Sequence, residues 1–130
     1  MNSKTILVAD DDPALVQVLE LRCRALGFDV RVAHSGLAAL KSACQQPPDL
    51  ICLDVDMPGG NGFSACELLA GEPQLSHVPI IILTGKTDGE TIRRCHNLCA
   101  YYVPKCADVW ARIAPLLQEL LDQQPFAVAE

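Results

Sequence analysis

Short apolar segments alternate with helical patterns along the chain, and this alternation limits the possible folds more than any other feature of the sequence. The apolar segments cover residues 5–9, 29–33, 50–53, 79–84 and 101–103. Strands that are separated by helices pair in parallel, because each helix returns the chain to the end of the sheet where the next strand begins. With 130 residues, half of them hydrophobic, the chain can cover such a sheet on both faces. The sequence therefore predicts one doubly wound α/β domain.

The strand order follows from which strands are suited to the edges of the sheet. Residues 29–33 alternate polar and apolar side chains, and Pro104 follows the fifth segment. Central parallel strands are apolar throughout, and proline is confined to sheet edges. Strands two and five are therefore placed at the edges, and right-handed crossovers then give the order 2-1-3-4-5. The five helices are expected at residues 13–26, 35–45, 62–69, 87–99 and 108–122.

Local signals mark where these helices begin and bend. Asp12 is expected to cap the first helix, with Pro13 at its first position. Thr87 and Glu90 have the spacing of a capping box before the fourth helix. Pro115 is expected to kink the last helix. The inward face of the first helix is predicted to carry Leu15, Val18, Leu19, Arg22 and Leu26.

Charge and cysteine content exclude several classes of protein. The formal charge of −6 argues against affinity for nucleic-acid phosphates. No apolar run approaches the roughly 18 to 20 residues that span a bilayer, and the first residues lack a signal-peptide core. We therefore expect a cytoplasmic protein with no nucleic-acid or membrane partner. We also expect a single domain over residues 1–130, with a core at 4–122 and a short tail at 123–130.

The seven irregularly spaced cysteines are expected to be reduced and to pack as small hydrophobic residues.

Residues with charged or hydroxyl side chains follow the ends of four strands. Asp10 and Asp11 follow the first strand, Asp54 the third, Thr84 ends the fourth, and Lys105 follows the fifth. The carboxyl ends of parallel strands lie at one edge of the sheet, where ligands bind, so these residues are expected to converge. Three neighbouring carboxylates repel one another unless a pKa rises or a cation binds between them. Oxygen ligands at a partly hydrated edge favour Mg²⁺, with Lys105 as a second positive charge.

Asp54 is well placed to accept a phosphoryl group at this edge. Mg²⁺ and Lys105 would stabilise negative charge on the phosphoryl oxygens while the Asp54 carboxylate attacks in line. The Thr84 hydroxyl can donate a hydrogen bond to one of those oxygens, and Gly85 leaves room for the group. The pattern therefore predicts aspartyl-phosphate chemistry.

Four motifs resemble those of the receiver domain of two-component response regulators, in the family's order and spacing over residues 4 to about 122. They are Ile-Leu-Val-Ala-Asp10-Asp11, Leu-Asp54-Val-Asp-Met-Pro-Gly with a glycine four residues after the proline, Ile-Leu-Thr84-Gly and Tyr102-Val-Pro-Lys105. The resemblance is to the chemotaxis-regulator-like type, and it implies a flavodoxin-like fold.

The resemblance also implies a function and a role for each site residue. Asp54 would take a phosphoryl group from a sensor histidine kinase or a histidine phosphotransfer protein, and would lose it by autodephosphorylation; such a protein is a signalling switch and not an enzyme. Asp11, Asp54 and the main-chain carbonyl of Asp56 would hold Mg²⁺, and Asp10 would orient bound water. The Asp56 side chain is expected to face solvent.

The switch implied by the resemblance runs from Thr84 to the face formed by helix four, strand five and helix five. Lys105 would pair with Asp54 and then with the phosphoryl group. Thr84 would turn inward to bind that group, and Tyr102 would follow into the vacated space, which biases a two-state element by charge. The downstream protein that reads this face is not specified, and a phosphorylation-dependent homodimer is left open.

The chain departs from the family around the lysine. The family usually has proline directly after it, in a cis peptide, whereas here Pro104 precedes Lys105 and Cys106 follows. The loop before Tyr102 is also one residue short. A cis bond without proline costs roughly 2.5 to 4 kcal/mol, so we expect a trans Lys105–Cys106 bond. We also expect a short fifth strand, a looser link to Tyr102, and a Lys105 that lies too far from Asp54 for a direct salt bridge.

Two alternatives remain at the level of sequence. A degenerate receiver would bind a partner without phosphorylation. A phosphatase of the haloacid-dehalogenase type would also use an aspartyl-phosphate, since Asp54-Val-Asp56 matches its D-x-D start, although Pro58 is unusual in that motif.

Overall fold

A five-stranded parallel sheet forms the centre of the computed structural model, which describes residues 3–57, 62–98, 100–105 and 108–121. The strands lie in the order β2-β1-β3-β4-β5, and all neighbouring pairs are parallel. The predicted α/β fold and strand order are confirmed. The strands are β1 (Thr5–Ala9), β2 (Asp29–Ala33), β3 (Leu50–Asp54), β4 (Ile80–Thr84) and β5 (Tyr101–Pro104).

Five helices connect and follow these strands, and their ends lie within two residues of the predicted ones. They are α1 (Pro13–Ala25), α2 (Gly36–Gln45), α3 (Gly62–Ala70), α4 (Gly89–Asn97) and α5 (Val109–Leu121). A short 3-10 turn, Pro73–Leu75, follows α3. Across the described ranges, no helix has the length and apolar character needed to cross a membrane. Pro115 lies inside α5, and the kink expected there stays a prediction.

The side chains of the sheet point alternately into two hydrophobic cores. Ile51 and Leu53 of β3 pack on the side of α2 and α3, whereas Leu50 and Cys52 pack on the side of α1 and α5. Every residue of β3 and β4 is buried. The carboxyl ends of these two central strands therefore emerge between the two cores, and the polar residues found there are held by a rigid frame.

The buried face of α1 differs from the predicted one. Val16, Leu19 and Cys23 are buried, whereas Val18 is 44% and Leu26 is 56% exposed. The buried set has the i, i+3, i+7 spacing of a helix face that packs on a sheet. The prediction was right for Leu19 but wrong for Val18 and Leu26, because it did not place Val16 and Cys23 on the inward face.

The helix caps agree with the sequence at α1 but not at α4. Asp12 caps α1 and accepts a hydrogen bond from the Ala14 amide at 3.0 Å. At α4 the cap is Asp88 and not Thr87: Asp88 accepts bonds from the amide and the hydroxyl of Thr91, at 3.0 and 2.8 Å. A carboxylate is a stronger acceptor than a hydroxyl, which explains the shift by one residue.

β5 is short, as expected, but its hydrogen bonding continues past the proline. Pro104 pairs with Thr84 in the sheet register, and the Lys105 amide donates to the Thr84 carbonyl at 2.7 Å. Successive residues of a strand direct their amides to opposite sides, so the nitrogen of Pro104 that lacks a hydrogen faces the open edge. Lys105 is therefore held beside the end of β4. The Lys105–Cys106 peptide bond, predicted to be trans, lies outside the described residues.

The described cysteines are free thiols, as predicted. Burial raises the pKa of Cys23 to about 11 and that of Cys66 to about 12, which keeps these thiols neutral. Cys99 and Cys106 lie outside the described residues. The five described cysteines are Cys23, Cys52, Cys66 and Cys95, which are buried, and Cys44, which is half-buried.

The contact between α2 and α3 gives a first prediction. A Cβ added at Gly36 would lie 2.8 Å from the Cβ of Ala65, closer than two such atoms can approach. Gly36→Ala should therefore lower the free energy of unfolding by about 1–3 kcal/mol, measured by urea denaturation. Gly89→Ala is the matched control, since Gly89 also begins a helix but its added Cβ would meet only the Arg93 side chain, at 3.6 Å. Equal effects of the two substitutions would contradict the close packing of α2 on α3.

Candidate functional site

Three carboxylates converge where β1 and β3 end. Asp10 directly follows β1, Asp11 is next in the chain, and Asp54 is the last residue of β3. Each offers an oxygen, and these three oxygens lie within 4.8 Å of one another. The Asp10 and Asp54 side chains are buried and Asp11 is exposed. The cluster therefore has a dry side against the sheet and an open side to water.

Lys105 forms ion pairs with both buried carboxylates. Its Nζ lies 2.9 Å from Oδ2 of Asp54 and 3.3 Å from Oδ2 of Asp10. The expectation of a long separation between Lys105 and Asp54 was therefore wrong. The physical reason is the hydrogen bond from the Lys105 amide to β4, which continues the sheet past Pro104 and brings the lysine to the carboxylates.

The protonation of this cluster follows from burial and charge. Burial raises the pKa of Asp10 to about 6 from its ordinary value of 3.8, against the opposing hydrogen bond from the Asp12 amide. Burial acts to lower the pKa of Lys105, but its hydrogen bonds and its attraction to Asp54 and Asp10 outweigh this and raise the pKa. Lys105 is thus a permanent cation at neutral pH. Asp10 takes up a proton at a higher pH than an ordinary aspartate does, because its charged form is buried.

The site fits a divalent cation with oxygen ligands. Oδ2 of Asp10 and Oδ2 of Asp54 are buried, and apart from the ion pairs to Lys105 neither has a hydrogen-bond partner among the described residues. One ammonium balances only part of the charge of three carboxylates. Mg²⁺ prefers such oxygen ligands and retains bound water on its open side. Asp10, Asp11 and Asp54 could hold it.

Asp56 makes contacts that the sequence analysis did not anticipate. Its side chain is exposed, as expected, but its two carboxylate oxygens lie 3.1 and 3.2 Å from the Thr84 hydroxyl, which donates to them. The Gly85 amide donates to Oδ2 of the same carboxylate at 2.6 Å. Asp56 also donates its own amide to Oδ1 of Asp54 at 2.8 Å. The signal in the sequence is an acid two residues after Asp54, opposite a Thr-Gly pair at the end of the adjacent strand.

Thr84 and Tyr102 are joined through the main chain of Lys86. The Thr84 side chain is fully buried at the end of β4, and its hydroxyl oxygen accepts a hydrogen bond from the Lys86 amide at 3.1 Å. The half-buried Tyr102 donates its hydroxyl to the Lys86 carbonyl at 3.0 Å. Tyr102 thus lies outside the carboxylate cluster but is connected to it by hydrogen bonds.

Comparison of the chain with known protein families identifies one that matches most of its length. Residues 6–110 match the family model of the response regulator receiver domain. The chain belongs to this family. Receiver domains are signalling switches of two-component systems and not classical enzymes, as the sequence resemblance implied.

The curated relatives are longer proteins, and this chain matches part of each. The response regulator PleD of Caulobacter vibrioides is 42% identical over 118 residues, which cover 88% of this chain and 26% of PleD. The DNA-binding response regulator MtrA of Mycolicibacterium smegmatis is 45% identical over 83 residues, which cover 64% of this chain and 35% of MtrA. The chain spans about a third or less of the length of these relatives. MtrA is named as a DNA-binding protein, so this relative does not support the expectation that the chain lacks a nucleic-acid partner.

A solved receiver domain has the same fold and a bound metal. The receiver domain of the sensor histidine kinase PA1611 from Pseudomonas aeruginosa, with magnesium coordinated in its active-site cleft, superposes with a TM-score of 0.81. It is 28% identical, and the match covers 94% of this chain and all of that one.

The burial of Asp10 gives a prediction about pH. Because the pKa of Asp10 is higher in the folded than in the unfolded chain, the folded state loses stability as pH rises through the window from about 4 to 6. Asp10→Asn should therefore raise the free energy of unfolding by about 1–3 kcal/mol at pH 7 in the presence of a chelator, and by less toward pH 4. Urea denaturation at several pH values measures the difference. A gain that is equal at all pH values would contradict the assignment.

Proposed function

We propose that this receiver domain is a phosphoacceptor switch in a phosphorelay, and that Asp54 accepts the phosphoryl group. The observation that carries the proposal is that the Asp54 carboxylate lies 2.9 Å from the Lys105 ammonium and belongs to the cluster with Asp10 and Asp11, where a divalent cation would supply a second positive charge. An acceptor carboxylate needs positive charge on both sides, because charge develops on the phosphoryl oxygens during transfer. Asp54 is the only carboxylate of the described cluster that also ends a central strand.

The donor is a phosphohistidine of a sensor histidine kinase or of a histidine phosphotransfer protein. An Asp54 oxygen forms the new bond to phosphorus while the bond from phosphorus to the imidazole nitrogen breaks, and the imidazole is released. Lys105 then pairs with the phosphoryl oxygens. Asp11, Asp54 and the Asp56 main-chain carbonyl would hold Mg²⁺, and Asp10 would orient bound water; the ion would supply charge neutralisation.

The receiving protein reads the face formed by α4, β5 and α5. The Lys86 amide donates a hydrogen bond to the Thr84 hydroxyl oxygen, and the Tyr102 hydroxyl donates one to the Lys86 carbonyl; together these bonds give a route from the site to this face. Ile92 of α4 and Tyr101 of β5 are 42% and 37% exposed there, which suits recognition by another protein. The downstream partner, a phosphorylation-dependent homodimer and a cytoplasmic location stay predictions.

The two alternatives are less well supported by the geometry. A degenerate receiver was considered because of the displaced proline, yet Lys105 reaches Asp54. A phosphatase of the haloacid-dehalogenase type would need a second acid at Asp56 that is free for proton transfer, whereas both oxygens of this carboxylate accept hydrogen bonds.

Incubation with Mg²⁺ and acetyl phosphate tests the acceptor. Intact-mass and peptide mass spectrometry should find one phosphoryl group, on Asp54. Asp54→Asn should abolish it, and Lys105→Ala should slow its formation by on the order of 10²-fold, because one positive charge on the transferred group is lost.

Asp29→Asn serves as the control, since Asp29 is exposed at the beginning of β2, at the other end of the sheet. It should leave phosphorylation unchanged. A phosphoryl group on any other residue, or modification that persists in Asp54→Asn, would refute the assignment, and sustained hydrolysis of small phosphate esters would favour the phosphatase.

A further inference from the structure

The Asp56 carboxylate accepts hydrogen bonds from donors at the end of β4, the strand next to the one that ends in Asp54. It accepts from the Thr84 hydroxyl and from the Gly85 amide. Its own main-chain amide is bonded to Asp54. A hydroxyl and a neighbouring main-chain amide therefore donate to the oxygens of a single anion. Proteins use such donors to bind phosphate and carboxylate ligands.

Those donors are the ones that a phosphoryl group on Asp54 would need. Thr84 ends β4, the strand paired with β3, and Asp54 is paired with Leu83, its neighbour in sequence. Lys105, which follows β5, contacts both Asp54 and Asp10. The Thr84 hydroxyl and the Gly85 amide are donors at the end of the strand that neighbours the acceptor.

We infer that Asp56 acts as a built-in anionic ligand, which occupies the phosphoryl-binding donors of Thr84 and Gly85 until a phosphoryl group on Asp54 displaces it. This inference rests on the proposed phosphoacceptor function and specifies how the same site is regulated. Asp56 is a positioning residue: it holds the Thr84 side chain toward the site in the unphosphorylated chain and lowers the affinity of the site for the incoming group.

The position of Asp56 at the surface leaves room for its carboxylate to move when it is displaced. Asp56 is exposed, so its side chain can rotate into water without burying its charge. It also borders a cleft of about 730 Å³ whose charged lining includes both cations, Lys86 and Arg94, and acids, Asp88 and Glu90. Displacement thus exchanges hydrogen bonds to Thr84 and Gly85 for solvation by water, which makes the contact reversible.

Displacement also has a consequence for the output face. The Thr84 hydroxyl joins Asp56 to Lys86, and Lys86 is in turn bonded to Tyr102. Removing the Asp56 carboxylate breaks the hydrogen bond that the Thr84 hydroxyl donates to it, and the Tyr102 ring should then change its environment even without phosphorylation.

Binding of beryllofluoride, a phosphoryl analogue, to the Mg²⁺-saturated chain tests the inference. Asp56→Ala should bind it about tenfold more tightly than the wild type, because no carboxylate competes for the donors. Asp56→Asn, which keeps one weaker acceptor, should lie between the two. Glu90→Gln is the matched control, since Glu90 lines the same cleft and its loss removes the same charge without touching the donors. Affinities are measured by calorimetry at saturating Mg²⁺ for each variant.

Amide NMR spectra give a second readout that does not depend on affinity. The Gly85 amide proton of the wild type should resonate far downfield, because it is bonded to a carboxylate at short distance. It should move upfield in Asp56→Ala and return downfield when beryllofluoride is added, and the Tyr102 resonances should shift with it.

The outcomes separate this inference from the proposed function. If the wild type binds no beryllofluoride and is not phosphorylated, the phosphoacceptor function fails. If the wild type binds it and Asp56→Ala binds it equally or more weakly, or if Glu90→Gln gains as much affinity, the function stands and the role of Asp56 is overturned. An unmoved Gly85 amide in Asp56→Ala would also overturn it.

Discussion

The ion pairs of Lys105 with Asp10 and Asp54 are the interaction on which the site depends. Two carboxylates are buried at the ends of adjacent strands, and a single ammonium lies against both. The raised pKa of Asp10, about 6, records how incompletely one lysine offsets that burial. The negative charge that remains unbalanced is the feature of the cluster that fits a divalent cation. The frame that imposes this proximity is the fully buried pair of strands β3 and β4.

The edge of the sheet has two sides, a carboxylate side and a side of hydrogen-bond donors. The carboxylate cluster, with Lys105 paired to two of its members, lies at the ends of β1 and β3, whereas the Thr84 hydroxyl and the Gly85 amide lie at the end of β4. A phosphoryl group on Asp54 would contact both sides. In the unphosphorylated chain the anion-binding donors are taken by Asp56, so both halves of the site already have charged partners. Such a site can exchange one anion for another without leaving buried polar groups unpaired.

Much of the fold could be predicted from the sequence because it depends on patterns within single segments. The strand order, the cap at Asp12 and the short β5 were predicted correctly. The predicted face of α1 was right for Leu19 but wrong for Val18 and Leu26, since Val16 and Cys23 occupy the inward positions instead. The separation of Lys105 from Asp54 was wrong for a different reason. The effect of Pro104 was judged from its own backbone, whereas the hydrogen bond from the next amide to Thr84 restores the position of the lysine.

The sequence by itself determined which residues would meet at the edge of the sheet, because alternation fixes the fold and the fold brings the carboxyl ends of parallel strands together. It placed the carboxylates, Thr84 and Lys105 there without any distance. Only the tertiary structure decided which of them pair. The contact of Asp56 with Thr84 and Gly85 joins residues 28 and 29 positions apart. No local pattern specifies such a contact, since it depends on how the loops after β3 and β4 approach each other across two packed strands.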